Sequence, residues 1–348
     1  MDTAPITDQV VRARRVRRLV VLLVSVLVGA AGMSRRRRAI ALHDAVAPAR
    51  PGPVVEQQCR PDGEGVRMIV NPDSGPMLSP DPTPTIREAL PKAELIELTE
   101  DLDLDAVLRR PGAEVLGAAG GDGTINCVAA IAADMGLPMV AAPAGTFNHL
   151  CADARIDSVE QAIEAVNQGE AVQVDIGRID GHIFMNTATL GLYVELVDAR
   201  ERFERRIGKF PALLVALVLV LGRGEPMDLE IDGRHRRIWL LFAGNCTYHP
   251  RGMLPVGRPR LDDGLLDVRL IDGSVPWART RLVGALLLGR LNRTKAYEER
   301  PTESISICSR AGSLRVAIDG ETCDVGDSFD IKKQPLGLTL FSPAKPAI

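Results

Sequence analysis

One glycine-rich stretch constrains the fold of this chain more than any other feature: Gly120-Gly121-Asp122-Gly123-Thr124-Ile125-Asn126. It follows the apolar run Glu114–Ala119, which has the pattern of a buried strand, and it leads into Thr124–Met135, which has the pattern of a helix. Glycines let the backbone approach a bound phosphate closely, and the first turn of a helix directs free N–H groups at an anion. The stretch therefore predicts a phosphate-binding loop between a strand and a helix.

This loop differs from the two commonest nucleotide-binding motifs. It is not followed by Gly-Lys-Ser/Thr as in a P-loop, and it lacks the Gly-x-Gly-x-x-Gly spacing of dinucleotide-binding folds. Thr124 and Asn126 can add side-chain donors, whereas the carboxylate of Asp122 repels a phosphate unless Mg²⁺ or its water shell lies between them. We therefore expect Mg²⁺ beside the loop, and the alternative is a tight turn that binds nothing.

The first half of the ordered chain alternates strands with helices. Val66–Val70 and Leu137–Ala142 are further apolar strand candidates, and Ser158 with Gln161 resembles the capping box at the start of another helix. Such alternation is typical of an open, mostly parallel sheet flanked by helices. We assign this α/β domain to residues 66–172.

The second half has the texture of an antiparallel, β-rich domain. Asp180-Gly181, Asp232-Gly233 and Asp272-Gly273 each follow an apolar run, and Asp-Gly is a strong hairpin signal. We assign a sandwich-like domain to residues 173–343. A charged helix is predicted over Tyr193–Arg206, and the apolar Phe210–Leu221 is too short to span a bilayer.

Residues 1–65 differ from both domains. The apolar run Leu19–Met33 has arginines on both sides, and Ala45–Gly65 is rich in proline and predicts a linker. The apolar run is shorter than the ~20 residues that cross a bilayer comfortably. A short membrane anchor or surface helix, a signal peptide, and a segment ahead of a true start at Met33 all fit, and the anchor is our interpretation.

The composition excludes several classes of function. A net charge of -3 and only 3% aromatic residues give no basic or stacking surface for nucleic acid. The six cysteines show no Cys-x-x-Cys pair, which argues against a zinc ribbon or a dense disulfide scaffold and favours reduced thiols.

Four further segments occur in a fixed order around the glycine loop: Asn71-Pro72-Asp73-Ser74-Gly75, Pro143–Asn148, Leu261–Asp267 and Asp319-Gly320-Glu321. Together the five motifs resemble the diacylglycerol kinase catalytic-domain family, which is shared by sphingosine and ceramide kinases and bacterial lipid kinases. The resemblance runs from about Val66 to about Pro343. NAD kinases and phosphofructokinases carry related glycine loops, so the loop alone leaves the substrate open.

The resemblance implies an ATP- and Mg²⁺-dependent kinase that transfers the γ-phosphate to the hydroxyl of a lipid such as diacylglycerol. In that family Asp263 and the carbonyls of Arg260 and Leu265 would hold a structural Mg²⁺. Glu321 or Asp319 would be the base, and the other carboxylate would order metal-bound water with Asp122. The ATP-binding residues would be Asn71, Pro72, Ser74, Gly75, Gly120, Gly121, Asp122, Gly123, Thr124, Asn126, Gly145, Thr146 and Asn148.

Some alternatives stay open at this stage. Asn71–Gly75, Asp263-Gly264 and Asp319-Gly320 can each be plain turns, and His149 and Cys127 stand where the family often has acidic residues. An NAD-kinase-like metabolite kinase and a catalytically idle membrane-anchored binding protein are the other functions. We expect a lipid partner, a membrane surface and catalytic domains in the cytoplasm, while the sequence fixes neither the lipid nor the oligomeric state.

Overall fold

The structure is a computed structural model that describes residues 51–74, 81–146, 148–191, 194, 225–252, 255, 257–275 and 291–343. The apolar run Leu19–Met33, Gly75, the Phe210–Leu221 segment and all of the Tyr193–Arg206 helix except Val194 lie outside these residues. Ala47–Val194 and Pro226–Ile348 form one compact unit, and only Glu225 of a second unit is described. No helix within the described ranges is long and apolar enough to cross a membrane.

The linker predicted for Ala45–Gly65 is wrong from Pro51 onward. Strand β1 (Val54–Glu56) pairs antiparallel with residues 170–172, where Val54 lies opposite Val172. The carbonyl of Pro51 also accepts a hydrogen bond of 2.9 Å from the N–H of Leu261. Prolines signalled a linker, but the strand partner that orders this segment is remote in sequence and leaves no local pattern.

The α/β part contains a parallel sheet in the order β3-β2-β4-β5. All residues of β2 and β4 are buried, as expected for central strands that are covered on both faces. The elements are β2 (Val66–Val70), α1 (Thr83–Ala89), β3 (Glu94–Glu97), α2 (Leu104–Leu108), β4 (Val115–Gly120), α3 (Asp122–Met135), β5 (Met139–Pro143), α4 (His149–Asp153) and α5 (Val159–Gln168).

Local sequence signals account for the ends of the two longer helices. Helix α3 ends at Gly136 and α5 at Gly169, and both glycines adopt the left-handed conformation that terminates helices. At the start of α5, the side chain of Ser158 accepts a hydrogen bond from the N–H of Gln161, as predicted. The return bond of the box is shifted by one residue, because the Gln161 side chain accepts from the N–H of Asp157 at 2.7 Å.

The β-rich part is antiparallel throughout the strands that the structure describes. Two predicted Asp-Gly turns join paired strands, and positive φ values at Asp180, Gly181, Asp232 and Gly233 are those of the favoured two-residue hairpin turn. The elements are β6 (Glu170–Ile179), β7 (His182–Phe184), β8 (Thr187–Gly191), β9 (Met227–Ile231), β10 (Arg234–Asn245), β11 (Leu266–Asp272), a 3₁₀ turn (Leu291–Arg293), β12 (Tyr297–Thr302), β13 (Ser304–Ser309), β14 (Leu314–Ile318), β15 (Glu321–Val325) and β16 (Ser328–Phe341). The predicted fold class, a parallel α/β part followed by an antiparallel β-rich part, is confirmed.

Strand β16 joins the two parts of the sheet. It pairs antiparallel with β13 and β6, and its last residues pair parallel with β5, where Leu340 lies opposite Met139. The described strands therefore belong to one connected sheet with two hydrophobic clusters. The assignment of a domain boundary between residues 172 and 173 stays a prediction.

Candidate active site

The glycine loop ends in a helix start that has no side-chain cap. Gly121 is the N-cap residue of α3, and no side-chain cap bond forms at this helix start among the described residues. Gly123 is exposed, whereas Thr124 and Asn126 are 8% and 7% exposed. A helix of this length with an uncapped start presents backbone N–H groups and a partial positive charge to an anion. The predicted phosphate loop thus has the geometry that phosphate binding requires.

A second loop, Pro143–Asn148, packs directly onto the glycine loop. The N–H of Ala144 donates to the carbonyl of Gly120 at 2.9 Å. A Cβ atom at Gly145 would overlap the Cα of Gly121, so only glycine permits this approach. Asn148, whose φ is 51°, closes the loop by accepting from the N–H of Gly145 at 2.9 Å and donating to its carbonyl at 3.0 Å.

Asp122 connects these two loops. Its Oδ2 accepts from the N–H of Asn148 at 3.1 Å, and its Oδ1 accepts from the N–H of His149 at 2.6 Å. The carboxylate therefore holds the start of α4 against the start of α3. Each oxygen keeps a further lone pair, so a hard cation or its water fits the donor set, and this metal-linked role stays a prediction.

The Asn71–Gly75 motif is both a turn and a neighbour of the glycine loop. The Oδ1 of Asn71 accepts from the N–H of Asp73 at 3.1 Å, and its Nδ2 donates to the Oγ1 of Thr124 at 3.4 Å. The hydroxyl of Ser74 donates to the carbonyl of Asn71 at 2.8 Å. Pro72 is half-buried, while Gly75 lies outside the described residues and Thr146 of the second loop is exposed.

Asp319 and Glu321 lie in one hairpin but in different surroundings. Asp319 and Gly320, with φ of 49° and 97°, form the turn between β14 and β15. The Asp319 carboxylate accepts from the N–H groups of Met185, Asn186 and Thr187 at 2.7, 2.8 and 2.8 Å. Burial nevertheless raises the pKa of this carboxyl, against the lowering effect of the three N–H donors.

Glu321, by contrast, is exposed, and no described residue forms a hydrogen bond with its carboxylate. Its Oε1 lies 3.6 Å from the position that a Cβ would take at Gly123. The two catalytic candidates thus have different contacts. The Asp319 carboxylate is hydrogen-bonded to the backbone of residues 185–187, and the Glu321 carboxylate lies beside the glycine loop. A carboxylate in the position of Glu321 is free to accept a proton or to meet a cation.

These residues border one cleft of about 440 Å³ between α3, the β6–β7 turn and the β14–β15 turn. Cys127 lines the cleft. Partial burial raises the pKa of its thiol, and the negative charge of Glu321 adds a smaller increase. The lining residues are Arg109, Gly123, Asn126, Cys127, Ala130, Ile131, Asp134, Gly181, His182, Ile183, Ile318, Asp319, Glu321, Thr322 and Cys323.

The surroundings of Asp263 include a cation that the sequence did not predict. The carboxylate accepts from the N–H groups of Thr247 at 2.8 Å and Leu265 at 2.9 Å. The ammonium of Lys333, whose side chain is 1% exposed, lies 4.0 Å from Asp263 and 3.2 Å from the carboxylate of Asp175. The side chain of Arg260 turns to Asp262. An ammonium here competes with a divalent cation, and metal ligation by Asp263 with the carbonyls of Arg260 and Leu265 stays a prediction.

The same lysine completes a buried cluster. Its ammonium donates to the Oδ1 of Asn245 at 2.6 Å and to the Sγ of Cys246 at 2.9 Å. Asp175, Cys246 and Asp263 present their ligand atoms within 4.8 Å of one another. Burial raises the pKa of the Cys246 thiol to about 12, which keeps it neutral at physiological pH.

The chain is similar in sequence to known proteins. Residues 65–179 match the sequence model of the diacylglycerol kinase catalytic domain. A protein of Pseudomonas aeruginosa named "probable lipid kinase YegS-like" is 29% identical over 67% of this chain and 78% of its own length. A protein of the same name from Cronobacter sakazakii is 30% identical over 47% of this chain and 58% of its own length.

Solved structures show the same fold. A structure described as a diacylglycerol kinase from Bacillus anthracis strain Sterne superposes with a TM-score of 0.57 at 21% identity, over 81% of this chain and 98% of that one. Another structure from the same strain has a TM-score of 0.61 at 19% identity and covers 81% of this chain and 99% of that one. Residues 65–179 thus match the diacylglycerol kinase catalytic-domain model, and the chain is similar to proteins named as probable bacterial lipid kinases.

Proposed function

We propose that this protein is an ATP-dependent lipid kinase that transfers the γ-phosphate of ATP to the hydroxyl of a lipid such as diacylglycerol. The observation that carries the proposal is the approach of Glu321 to the uncapped start of α3. An anion-binding helix start and an unengaged carboxylate beside one cleft are what a phosphate donor and an alcohol acceptor need. Kinship with lipid kinases supports the lipid as the acceptor.

In this proposal the backbone N–H groups of the glycine loop bind the phosphates of ATP. Thr124 and Asn126 add side-chain donors, and the second loop, packed on Gly121, limits how the nucleotide can lie. Asp122 would hold Mg²⁺ through water, and Mg²⁺ would supply neutralisation of charge on the phosphates. Positioning and charge stabilisation of this kind account for most of the catalysis in phosphoryl transfer.

Glu321 is the base in this proposal, because it alone of the two candidates has a carboxylate free of backbone N–H donors. It accepts the proton of the lipid hydroxyl as the oxygen attacks phosphorus. A carboxylate is a weak base for an alcohol, so the proton moves late, when the bond to the phosphoryl group is already forming. Asp319 instead fixes the hairpin that carries Glu321.

The lipid acceptor also gives residues 1–65 a role. A short apolar run between arginines would bring the catalytic part to a membrane surface, where a lipid alcohol resides. Dependence on ATP places the catalytic part in the cytoplasm. The membrane surface and the cytoplasmic location are both inferred from the substrates and not from the fold.

The test is phosphate transfer by the purified full chain in mixed micelles with γ-labelled ATP and Mg²⁺. The acceptors are diacylglycerol, a sphingoid base, ceramide, a polyprenol, phosphatidylglycerol and, as a soluble comparison, NAD. We expect label in one lipid and none in NAD. Glu321→Gln, which should bind ATP without transferring phosphate, controls for contaminating kinases.

Other outcomes distinguish the alternatives. Label in NAD alone would show a metabolite kinase and overturn the lipid acceptor. Binding of Mg·ATP without transfer to any acceptor, including a total lipid extract of the source cells, would show an idle binding protein.

A further inference from the structure

A buried arginine anchors a line of polar side chains that ends at the cleft. Arg258 is 2% exposed, and each of its three guanidinium nitrogens donates at least one hydrogen bond. Nε donates to Oδ2 of Asp153 at 2.7 Å, and one terminal nitrogen forms an ion pair with the same oxygen at 2.6 Å. The other terminal nitrogen donates to the carbonyls of Met185 at 2.6 Å and Asn245 at 3.0 Å. The remaining N–H donates to Oδ1 of Asn186 at 2.9 Å.

This guanidinium fixes the orientation of the next two amides. A guanidinium has donors and no acceptor, so Asn186 must turn its oxygen toward Arg258 and its NH₂ away. That NH₂ donates to Oδ1 of Asn126 at 3.3 Å. Asn126 must therefore direct its oxygen toward Asn186 and its NH₂ away from Asn186. The arginine therefore sets which end of each asparagine amide faces its neighbour. This orientation does not depend on telling the amide oxygen from the amide nitrogen in either side chain.

The last group in the line has a donor without an acceptor. Asn126 is 7% exposed, and its Nδ2 is buried with no hydrogen-bond partner among the described residues. The residue lines the cleft beside Gly123 and Glu321. A buried amide donor without an acceptor is unfavourable, and native structures seldom retain one without a reason. An acceptor that enters the cleft would satisfy it.

We propose that Arg258, acting through Asn186, is a positioning residue that sets the Asn126 amide as a hydrogen-bond donor for a phosphate oxygen of the bound nucleotide. This inference rests on the proposed function, because it requires a phosphate in the cleft. Without the arginine, the amides of Asn186 and Asn126 could reverse, and Asn126 would present a carbonyl oxygen that repels phosphate. Arg258 touches no ligand itself.

The same segment links this line to the catalytic hairpin. The N–H of Asn186 donates to Oδ1 of Asp319, and the hydroxyl of Tyr248 donates to the carbonyl of Asn186 at 3.2 Å. The guanidinium also lies 5.4 Å from the ring centre of Tyr248. The backbone of Asn186 thus supports the turn that carries Glu321, while its side chain serves Asn126. The two functions of Asn186 can be separated by substitution.

The decisive variant is Asn186→Asp, which keeps the shape of the side chain but replaces its donor with an acceptor. Its carboxylate still pairs with Arg258, so Asn126 must reverse and donate its NH₂ to the new carboxylate. We expect Mg·AMP-PNP to bind about tenfold more weakly, measured by calorimetry, the loss typical of a hydrogen bond to a charged group. Tyr248→Phe, which removes only the bond to the Asn186 backbone, is the matched control and should bind as the wild type does.

A double-mutant cycle separates the relay from the added negative charge. If Asn186 acts through Asn126, then Asn126→Ala also weakens binding about tenfold, and the double variant Asn126→Ala/Asn186→Asp binds no more weakly than Asn126→Ala alone. If the two losses add, the carboxylate acts by its charge and the relay is overturned. Melting temperatures of all variants establish that each is folded.

Side-chain amide signals of the ¹⁵N-asparagine-labelled full chain test the orientation without relying on activity. The Asn126 NH₂ signal, assigned by its loss in Asn126→Ala, should move in Asn186→Asp even without nucleotide, and should move in the wild type when Mg·AMP-PNP is added. A signal that ignores a bound nucleotide overturns the inference and leaves the proposed function standing. A wild type that binds no nucleotide overturns both, whichever way the amide points.

Discussion

At the residue scale, Asp319 and Glu321 have different surroundings, which suit the first to structural support and the second to the chemistry that we propose. The Asp319 carboxylate accepts three backbone N–H groups, whereas the Glu321 carboxylate stands beside Gly123 with no partner among the described residues. The motif Asp-Gly-Glu alone does not assign these roles. The folded hairpin distinguishes the two residues, because the Asp319 carboxylate accepts from the backbone of residues 185–187 and the exposed Glu321 lies beside Gly123 at the cleft.

Glu321→Gln should therefore lower kcat about 10²- to 10⁴-fold and leave the affinity for Mg·ATP and the melting temperature almost unchanged, since it removes a base and no buried contact. Asp319→Asn should instead lower the free energy of unfolding by about 2 kcal/mol, because one buried acceptor oxygen becomes an NH₂ group that cannot accept from a backbone N–H. Steady-state kinetics and thermal melts measure both. Glu88→Gln, at an exposed site on α1, is the control. A Glu321→Gln variant with wild-type kcat would reject the base assignment.

The lysine beside Asp175 and Asp263 leads to a second prediction. Lys333→Met leaves the buried carboxylate of Asp175 and the half-buried carboxylate of Asp263 without their ammonium, so we expect a loss of about 3–5 kcal/mol in the free energy of unfolding. Adding millimolar Ca²⁺ or Mg²⁺ should recover part of this loss in the variant, because oxygen ligands then meet a divalent cation. In the wild type, EDTA should not change the melting temperature.

Lys332→Met provides the matched control, since its side chain is 62% exposed and pairs only with Asp330 among the described residues. Its melting temperature should stay close to that of the wild type, with or without divalent cations. A wild-type protein that EDTA destabilises would instead favour a structural Mg²⁺ at Asp263, as the family resemblance implies.

At the element scale, the active site depends on two loops that touch through glycines. Gly145→Ala places a methyl group against the backbone of Gly121, which cannot move aside as a flexible side chain could. We expect overpacking of about 1–3 kcal/mol and a loss of about tenfold or more in affinity for Mg·ATP, because the phosphate loop is displaced. Calorimetry and thermal melts measure the two effects. Gly257→Ala, where no atom lies within 4 Å of the added Cβ, should change neither.

The sequence predicted those elements whose signals are local. The glycine loop, the strands on either side of it and the hairpins at Asp180-Gly181 and Asp232-Gly233 depend on neighbouring residues, and the structure has them. The hairpin predicted at Asp272-Gly273 is wrong, because β11 ends at Asp272 and its partner β12 begins only at Tyr297. The sequence did not predict β1, because a strand in a proline-rich segment is decided by its remote partner β6. Helix α3 also begins at Asp122 rather than Thr124, since the second glycine of the loop is its N-cap.

For the site, too, the sequence predicted the groups that local motifs mark and missed the groups that remote segments bring together. Sequence motifs predicted Asp122, Glu321 and the two loops as parts of the site. In the structure Glu321 lines the cleft, and the two loops pack directly onto each other. No motif marks the cluster of Asp175, Cys246 and Lys333, or the line from Arg258 to Asn126. Only β6 and β16 among the elements concerned pair directly, whereas Cys246 follows β10, Arg258 lies between β10 and β11, and Asn186 lies between β7 and β8. Such contacts between segments remote in sequence become visible only in the folded chain.

At the scale of the whole molecule, residues 1–50 lie outside the described residues, and the ordered unit includes β1 at Val54–Glu56. A chain that begins at Met33 therefore keeps every described element and loses most of the apolar run Leu19–Met33. We expect it to retain its kcat on detergent-dispersed lipid. In contrast, it should lose binding to vesicles, because the apolar side chains that insert among the lipids are gone.

Two vesicle compositions separate insertion from charge attraction. The full chain should sediment with neutral phosphatidylcholine vesicles in high salt, where screening removes the contribution of the arginines. Replacing Arg12, Arg14, Arg15, Arg17 and Arg18 with serine should weaken binding only to anionic vesicles at low salt, since the apolar run is kept. Equal sedimentation of the full and shortened chains with neutral vesicles would contradict the anchor and leave the lipid to be reached from the catalytic part alone.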